Sequence, residues 1–158
     1  MAVCLCVGIL FFAGCNPATG GATDGTVVPD VPGVSLKGYW KSDYGDGFEI
    51  TDTTYTQYDS AAKDVSFAGT IVNKPNLYGN SGYIIIQITD SGSWEKKEGC
   101  YYVIRWKSLS ERGVQQGSAS SADWTADINK GLPTPTEAEA EYTEEKGYFG
   151  YYGTYAKQ

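Results

Sequence analysis

The sequence of 158 residues contains no histidine. Catalytic triads built on imidazole and metal sites with histidine ligands are therefore excluded. Cysteine is scarce too, since Cys4, Cys6 and Cys15 lie near the start of the chain and only Cys100 lies beyond them. A single distal cysteine provides no disulfide framework for a fold. We interpret Cys100 as a small buried apolar residue rather than a reactive thiol.

Basic residues are also few. Lysine and arginine number 12 against 19 for aspartate and glutamate, and the formal net charge is −7. This acidity argues against a nucleic-acid partner and against electrostatic docking on anionic lipid. Carboxylate pairs such as Asp43 and Asp46, or Glu95 and Glu98, fall in predicted turns and are typical of solvated charge. The sequence therefore predicts no enzyme, no metal site and no cofactor.

Apolar runs are short as well. The run over residues 2–13 contains 12 uncharged residues, whereas a membrane-spanning helix needs roughly 20. It ends in the small residues Ala13 and Gly14. A short apolar core with such an exit is typical of a signal peptide rather than of a membrane span.

The residues Phe12-Ala13-Gly14-Cys15 close this run. They resemble the lipobox of bacterial lipoproteins, in the form associated with spirochaetes. The resemblance implies that Cys15 receives a diacylglycerol thioether, becomes the first residue of the mature protein and attaches it to a membrane. Asn16 stands where an Asp in that family tends to retain the protein at the inner membrane, so the outer membrane is favoured. The alternative is an ordinary secretory signal followed by a soluble protein.

Composition divides the rest of the chain into two parts. Residues 15–36 are rich in Gly, Thr and Pro and show no apolar periodicity, which is typical of a flexible tether. Residues 37–158 are enough for one domain with one core. We therefore predict a signal peptide over residues 1–14, a lipidated tether over 15–36 and one folded domain over 37–158.

The folded part has the pattern of a series of strands with one late helix. Alternation and turn signals predict strands over residues 37–42, 48–51, 54–59, 65–71, 82–89, 100–107 and 113–121. Thr134, Pro135 and Glu137 begin a helix that Gly147 is placed to end, so it is predicted over 134–146. A last strand is predicted over 148–155, whereas 123–132 gives no clear signal. This order fits a small up-and-down barrel or a sandwich.

A motif near the start of the domain favours the barrel. Gly38-Tyr39-Trp40 resembles the G-x-W motif that opens the first strand of lipocalins and related calycin barrels, which also have a helix before the last strand. The resemblance implies a mainly β fold, a small antiparallel up-and-down barrel of about eight strands. It also implies that Trp40 plugs the closed end and that a late basic residue, here Lys157, packs across it. The folded part is similar to spirochaete-type lipoproteins with lipocalin-like barrels.

The prediction of function rests on the aromatic residues. The chain has 13 Tyr, 5 Phe and 4 Trp, and such rings serve in ligand pockets and at interfaces. Inside a small barrel they fill the interior or surround one small, partly apolar ligand. The residues predicted to contact this ligand are Trp40, Phe48, Phe67, Tyr102 and Trp106. The alternative is an interaction or adhesion protein whose exposed tyrosines, including Tyr148, Tyr151 and Tyr155, bind a protein partner.

Overall fold

A closed antiparallel barrel forms the body of the protein. The computed structural model describes residues 33–60 and 62–158. The strands are β1 (Gly38–Lys41), β2 (Gly47–Ile50), β3 (Thr54–Tyr58), β4 (Val65–Ile71), β5 (Gly82–Asp90), β6 (Tyr101–Lys107), β7 (Val114–Ser118) and β8 (Gly153–Lys157). Each strand pairs with the next along the chain, and β8 pairs with β1 to close the sheet. The predicted fold class, an up-and-down barrel with a helix before the last strand, is confirmed.

Two helical segments lie between β7 and β8. A 3₁₀ helix spans Asp127–Lys130 within the stretch that gave no clear signal, and helix α1 spans Pro135–Glu141. Thr134 caps α1, because its side-chain oxygen accepts a hydrogen bond from the backbone N–H of Glu137 at 3.2 Å. Within residues 33–60 and 62–158, neither helix is long and apolar enough to cross a membrane.

Helix α1 ends at Glu141 rather than at residue 146, so its predicted end is wrong. Tyr142 leaves the helical conformation, its ring is buried, and its hydroxyl donates to the carbonyl of Ile128. Tyr148 and Phe149 are also buried in the core instead of beginning the last strand. The prediction of that strand over 148–155 is therefore wrong in position, since β8 spans Gly153–Lys157.

The core fills the barrel and extends beneath α1. Side chains on the inner face of β5 and β6, such as Ile86 and Ile104, are buried. Ile85 and Val103 on the outer face of the same strands are buried as well, because α1 packs against them there. Cys100, immediately before β6, is a buried free thiol, which confirms the prediction that it serves as a small apolar residue.

Candidate ligand-binding cavity

One end of the barrel is packed shut. The segment before β1 meets the β4–β5 connection there, since the N–H of Leu36 donates to the carbonyl of Leu77 at 2.8 Å. The β6–β7 connection joins them through Leu109, whose N–H donates to the carbonyl of Asn80 at 3.0 Å. Val34 and Leu36 are buried. The folded part therefore includes residues 34–36, which we had assigned to the tether.

Two tryptophans occupy this packed end. Trp40 is fully buried, and its indole N–H donates to the carbonyl of Leu36 at 2.7 Å. The ammonium group of Lys157 lies 5.4 Å from the centre of the Trp40 ring, which is the arrangement that the lipocalin resemblance implies. Trp106 is buried as well and donates to the carbonyl of Gly79 at 3.0 Å. Side chains therefore fill this half of the barrel.

A cavity of about 1070 Å³ lies at the opposite end. Inward residues of β3, β6, β7 and β8 line it, together with the β5–β6 and β7–β8 connections. Its wall includes Gln57, Tyr102, Gln116, Ser118 and Tyr155. Trp124 and Tyr151, whose exposed fractions are 75% and 73%, stand at its mouth. The cavity therefore opens to solvent at one end and is closed by the packed half at the other.

A series of ring contacts connects the packed end with the cavity. The centroid separations are 6.2 Å for Trp40–Phe48, 5.9 Å for Phe48–Tyr55, 5.9 Å for Tyr55–Phe67 and 5.6 Å for Phe67–Tyr102. Such pairs stabilise a core by about 0.5–1.5 kcal/mol each beyond simple burial. Burial raises the pKa of the Tyr55 and Tyr102 hydroxyls well above the usual value, so both stay neutral. The rings form a packed floor beneath the cavity.

The five residues predicted to contact a ligand lie at different heights in the barrel. Tyr102 lines the cavity, and Phe67 lies directly behind it, in edge contact with the Tyr102 ring. Trp40, Phe48 and Trp106 are buried in the filled part below. Alternation along a strand shows which side chains point inward. It does not show where along the barrel axis the packed interior ends and the cavity begins.

Polar side chains interrupt the apolar wall of the cavity. Gln57 and Gln116 are buried residues of the wall, and the Gln116 amide donates to the Ser118 hydroxyl at 3.2 Å. Asp46 accepts a hydrogen bond from the Tyr155 hydroxyl at 3.0 Å. Burial, together with the nearby Asp46 carboxylate, raises the pKa of Tyr155. Rings with a few polar groups between them suit a molecule that is only partly apolar.

Lys96 brings a positive charge to the cavity wall. Its exposed fraction is 6%, and its ammonium group lies 3.8 Å from the centre of the Tyr102 ring, 5.4 Å from that of Phe67 and 5.6 Å from that of Trp94. It donates a hydrogen bond to the carbonyl of Asn129. Burial lowers the pKa of Lys96 to about 7. Within the described parts of the chain, the ion pairs do not include Lys96.

The β5–β6 connection that carries Lys96 is fixed on two sides. The N–H of Trp94 donates to the carbonyl of Ser66 in β4 at 3.0 Å. On the other side, the N–H of Lys97 donates to the carbonyl of Lys130 in the 3₁₀ helix at 2.8 Å. Backbone pairing therefore sets the position of the Lys96 side chain over the floor of the cavity.

Asp59 is the carboxylate beside this connection. Its oxygens accept hydrogen bonds from the Ser66 hydroxyl at 2.5 Å, from the Ser93 hydroxyl and from the Trp94 indole at 2.9 Å. Burial acts to raise the pKa of Asp59, but the three hydrogen bonds outweigh it and the pKa is lowered. Neutral donors thus stabilise this charge, and Lys96 does not pair with it.

Sequence reasoning did not identify Lys96. It lies in the segment 90–99, which interrupts the strand pattern, and its neighbours Glu95 and Lys97 are exposed. A lysine in a polar, turn-like segment carries no local sign of burial. Trp94, two residues before it, was the one apolar signal in the segment. Trp124, in the stretch 123–132 that gave no clear signal, is an exposed residue at the mouth.

Among residues 33–60 and 62–158, no three cysteine or carboxylate side chains are grouped so that they could hold a metal ion. Comparison of the chain with protein-family models, with curated proteins and with solved structures gives no match.

Proposed function

We propose that this protein binds a small, partly apolar ligand in the cavity of its barrel, at the bacterial cell envelope. The cavity is the observation that carries the proposal. Its volume of about 1070 Å³ far exceeds the roughly 30 Å³ share of one water molecule and slightly exceeds the roughly 300–1,000 Å³ typical of small-ligand sites. Because the barrel floor is packed, a ligand would enter and leave through the mouth.

The lining supports the same proposal. Tyr102, Tyr148 and Tyr155 present ring surface to the cavity, and Gln57 and Gln116 supply hydrogen-bonding groups among the rings. Rings of this kind bury apolar surface at a small loss of side-chain entropy. The few polar groups would fix the orientation of the bound molecule.

A protein partner that binds the tyrosine-rich exterior is the other candidate. Of the three tyrosines proposed for that role, Tyr148 and Tyr155 are buried and only Tyr151 is exposed. Trp94 and Trp124, with exposed fractions of 46% and 75%, are the other large exposed rings among the cavity residues, so the exposed rings of the cavity lie around its mouth. The distribution of the rings therefore favours a small ligand over a protein partner.

A variant that fills the cavity tests the proposal. Ser118 projects into the cavity near the end of β7, so Ser118→Phe should occupy part of the ligand space. The control is Thr154→Phe, which adds the same ring on the outer, exposed face of β8. We expect the full chain to bind the neutral apolar dye N-phenyl-1-naphthylamine. Ser118→Phe should weaken the binding by about tenfold or more, and Thr154→Phe should leave it unchanged. Equal binding by the two variants in fluorescence titrations would contradict the proposal.

The site of lipid attachment, Cys15, lies outside the described residues. We propose that its acylation holds the barrel at the membrane, with the outer membrane favoured over the inner one. Replacing Cys15 by Ser should abolish labelling by a radioactive fatty acid and release the protein from the membrane fraction, because the thioether cannot form. Cys6→Ser, a matched change inside the signal peptide, should leave both unchanged. Full labelling of Cys15→Ser would refute the anchor.

A further inference from the structure

Lys96 is a buried cation without a counter-ion in the described parts of the chain. The ion pairs there join Lys37 to Asp52, Arg105 to Glu144, Lys130 to Asp127 and Lys146 to Glu141. The Lys96 ammonium group has three N–H donors, and its hydrogen bond goes to one backbone carbonyl. A buried charge without a partner is unfavourable. Its place in the wall of a cavity points to a partner that comes from outside the chain.

The carboxylates around the cavity have other partners. Asp59 accepts three hydrogen bonds from Ser66, Ser93 and Trp94. Asp46 accepts hydrogen bonds from Tyr155 and Ser42. Glu95 adjoins Lys96 in sequence, but its side chain is exposed at the rim, and it forms no ion pair among the described residues.

The remaining ionisable groups of the cavity wall supply no negative charge for Lys96 near neutral pH. Lys130, in the 3₁₀ helix, pairs with Asp127 at 3.4 Å. The pKa of Tyr58 and Tyr155 is raised by burial and nearby carboxylates, and that of Tyr102 by burial. Burial and the hydrogen bond to Glu141 raise the pKa of Tyr148 to about 12. Lys96 is therefore the wall group that we expect to titrate near neutral pH.

We infer that the ligand is an organic anion whose acidic group pairs with Lys96 and whose apolar body lies against Trp94, Tyr148 and Tyr151. This inference rests on the proposed function and specifies the chemical class of its ligand. The apolar body follows from the rings in the wall, and the acidic group follows from the unpaired cation. A cationic ligand is disfavoured because the ammonium group of Lys96 already occupies the space among Phe67, Trp94 and Tyr102.

Binding of an anion should be coupled to the protonation of Lys96. Burial lowers the pKa of Lys96 to about 7 in the empty cavity, and a bound anion should raise it, because an opposite charge stabilises the ammonium form. Affinity should then be constant below pH 7 and fall as the pH rises above 7. If the bound anion raises the pKa to between about 8 and 9, binding at pH 9 should be about 8- to 45-fold weaker than at pH 6.

Two dyes with the same ring system test this inference on the purified full chain. 8-Anilinonaphthalene-1-sulfonate is an anion throughout this pH range, and N-phenyl-1-naphthylamine is its neutral parent. We expect the anion to bind at least about tenfold more tightly than the parent at pH 6, and this preference to shrink as the pH rises to 9. Binding of the neutral parent should not depend on pH over this range.

Substitutions then assign the preference to Lys96. Lys96→Met should remove the preference for the anion and its dependence on pH, whereas Lys96→Arg should keep the preference at both pH 6 and pH 9, because arginine does not titrate there. Lys97→Met, a change at the exposed neighbour, should behave like the unaltered chain. Binding of both dyes without a preference for the anion, or a preference that survives in Lys96→Met, would overturn this inference and leave the proposed function standing. Binding of neither dye would overturn both.

Discussion

Replacing Trp40 by alanine is expected to lower the free energy of unfolding by about 3–5 kcal/mol. Trp40 is fully buried at the packed end and contacts the Phe48 ring at a centroid distance of 6.2 Å. Removing its ring leaves a cavity that the closed barrel cannot collapse around. It also leaves the carbonyl of Leu36 without the hydrogen bond from the indole N–H, which adds to the loss.

Urea unfolding at pH 7, followed by circular dichroism, measures this loss. The control is Trp124→Ala, which removes the same ring from a site that is 75% exposed and should change the free energy of unfolding by less than about 0.5 kcal/mol. Similar losses in the two variants would contradict the assignment of the core to the half of the barrel around Trp40.

Replacing Lys96 by methionine is expected to stabilise the protein at low pH. The pKa of Lys96 is about 7, against an ordinary value of 10.5, which corresponds to a penalty of about 5 kcal/mol for the charged form in the folded state. Methionine leaves the carbonyl of Asn129 without the hydrogen bond from Lys96, which costs about 1–3 kcal/mol. Methionine has a similar shape without the charge, so a gain of about 2–3 kcal/mol at pH 6 is expected.

The destabilisation by Lys96 should depend on pH. Below pH 7 the lysine is protonated in both the folded and the unfolded states, and the penalty is present in full. As the pH rises from 7 toward 10.5 the folded state releases its proton first, so the penalty disappears and the protein becomes more stable. Urea unfolding of Lys96→Met at pH 6, 8 and 10 should lack this rise, whereas Lys97→Met, altered at an exposed site, should retain it. A Lys96→Met variant less stable than the unaltered chain at pH 6 would contradict a buried, unpaired ammonium group.

The two expectations for Lys96 have one physical origin. Groups whose pKa is strongly shifted by burial cluster at functional sites. The same side chain that destabilises the empty barrel is the group that we expect to hold an anionic ligand. Stability and binding are therefore expected to change in opposite directions in Lys96→Met.

The strands could be predicted from sequence because their signals are local, whereas the choice of a barrel over a sandwich came from the resemblance of Gly38-Tyr39-Trp40 to the lipocalin motif. Alternation in β5 and β6 follows directly from side chains that face opposite sides of a strand, and Thr134 with Glu137 marks the start of α1 at the correct place. The end of α1 could not be predicted, because it depends on a contact between Tyr142 and Ile128, which are distant in sequence. The start of the last strand could not be predicted either, because Tyr148 and Phe149 pack in the core and β8 begins only at Gly153.

The cavity was harder to predict than the fold. Tyr102 and Phe67 have the same alternating pattern in sequence, yet one lines the cavity and the other lies behind it. Lys96 is buried only because the 3₁₀ helix and β4 enclose its segment through hydrogen bonds from Lys97 and Trp94. Such pairings between distant segments leave no periodic trace in the sequence.

The most direct test of a ligand-binding barrel is native mass spectrometry of the full chain purified after expression in rich medium. We predict that part of the population carries the additional mass of one small organic molecule. Ser118→Phe, which fills the cavity, should lose this mass, and Thr154→Phe, which alters the outer face of β8, should keep it. A spectrum that contains only the mass of the chain, or an added mass that persists in Ser118→Phe, would contradict ligand binding in this cavity.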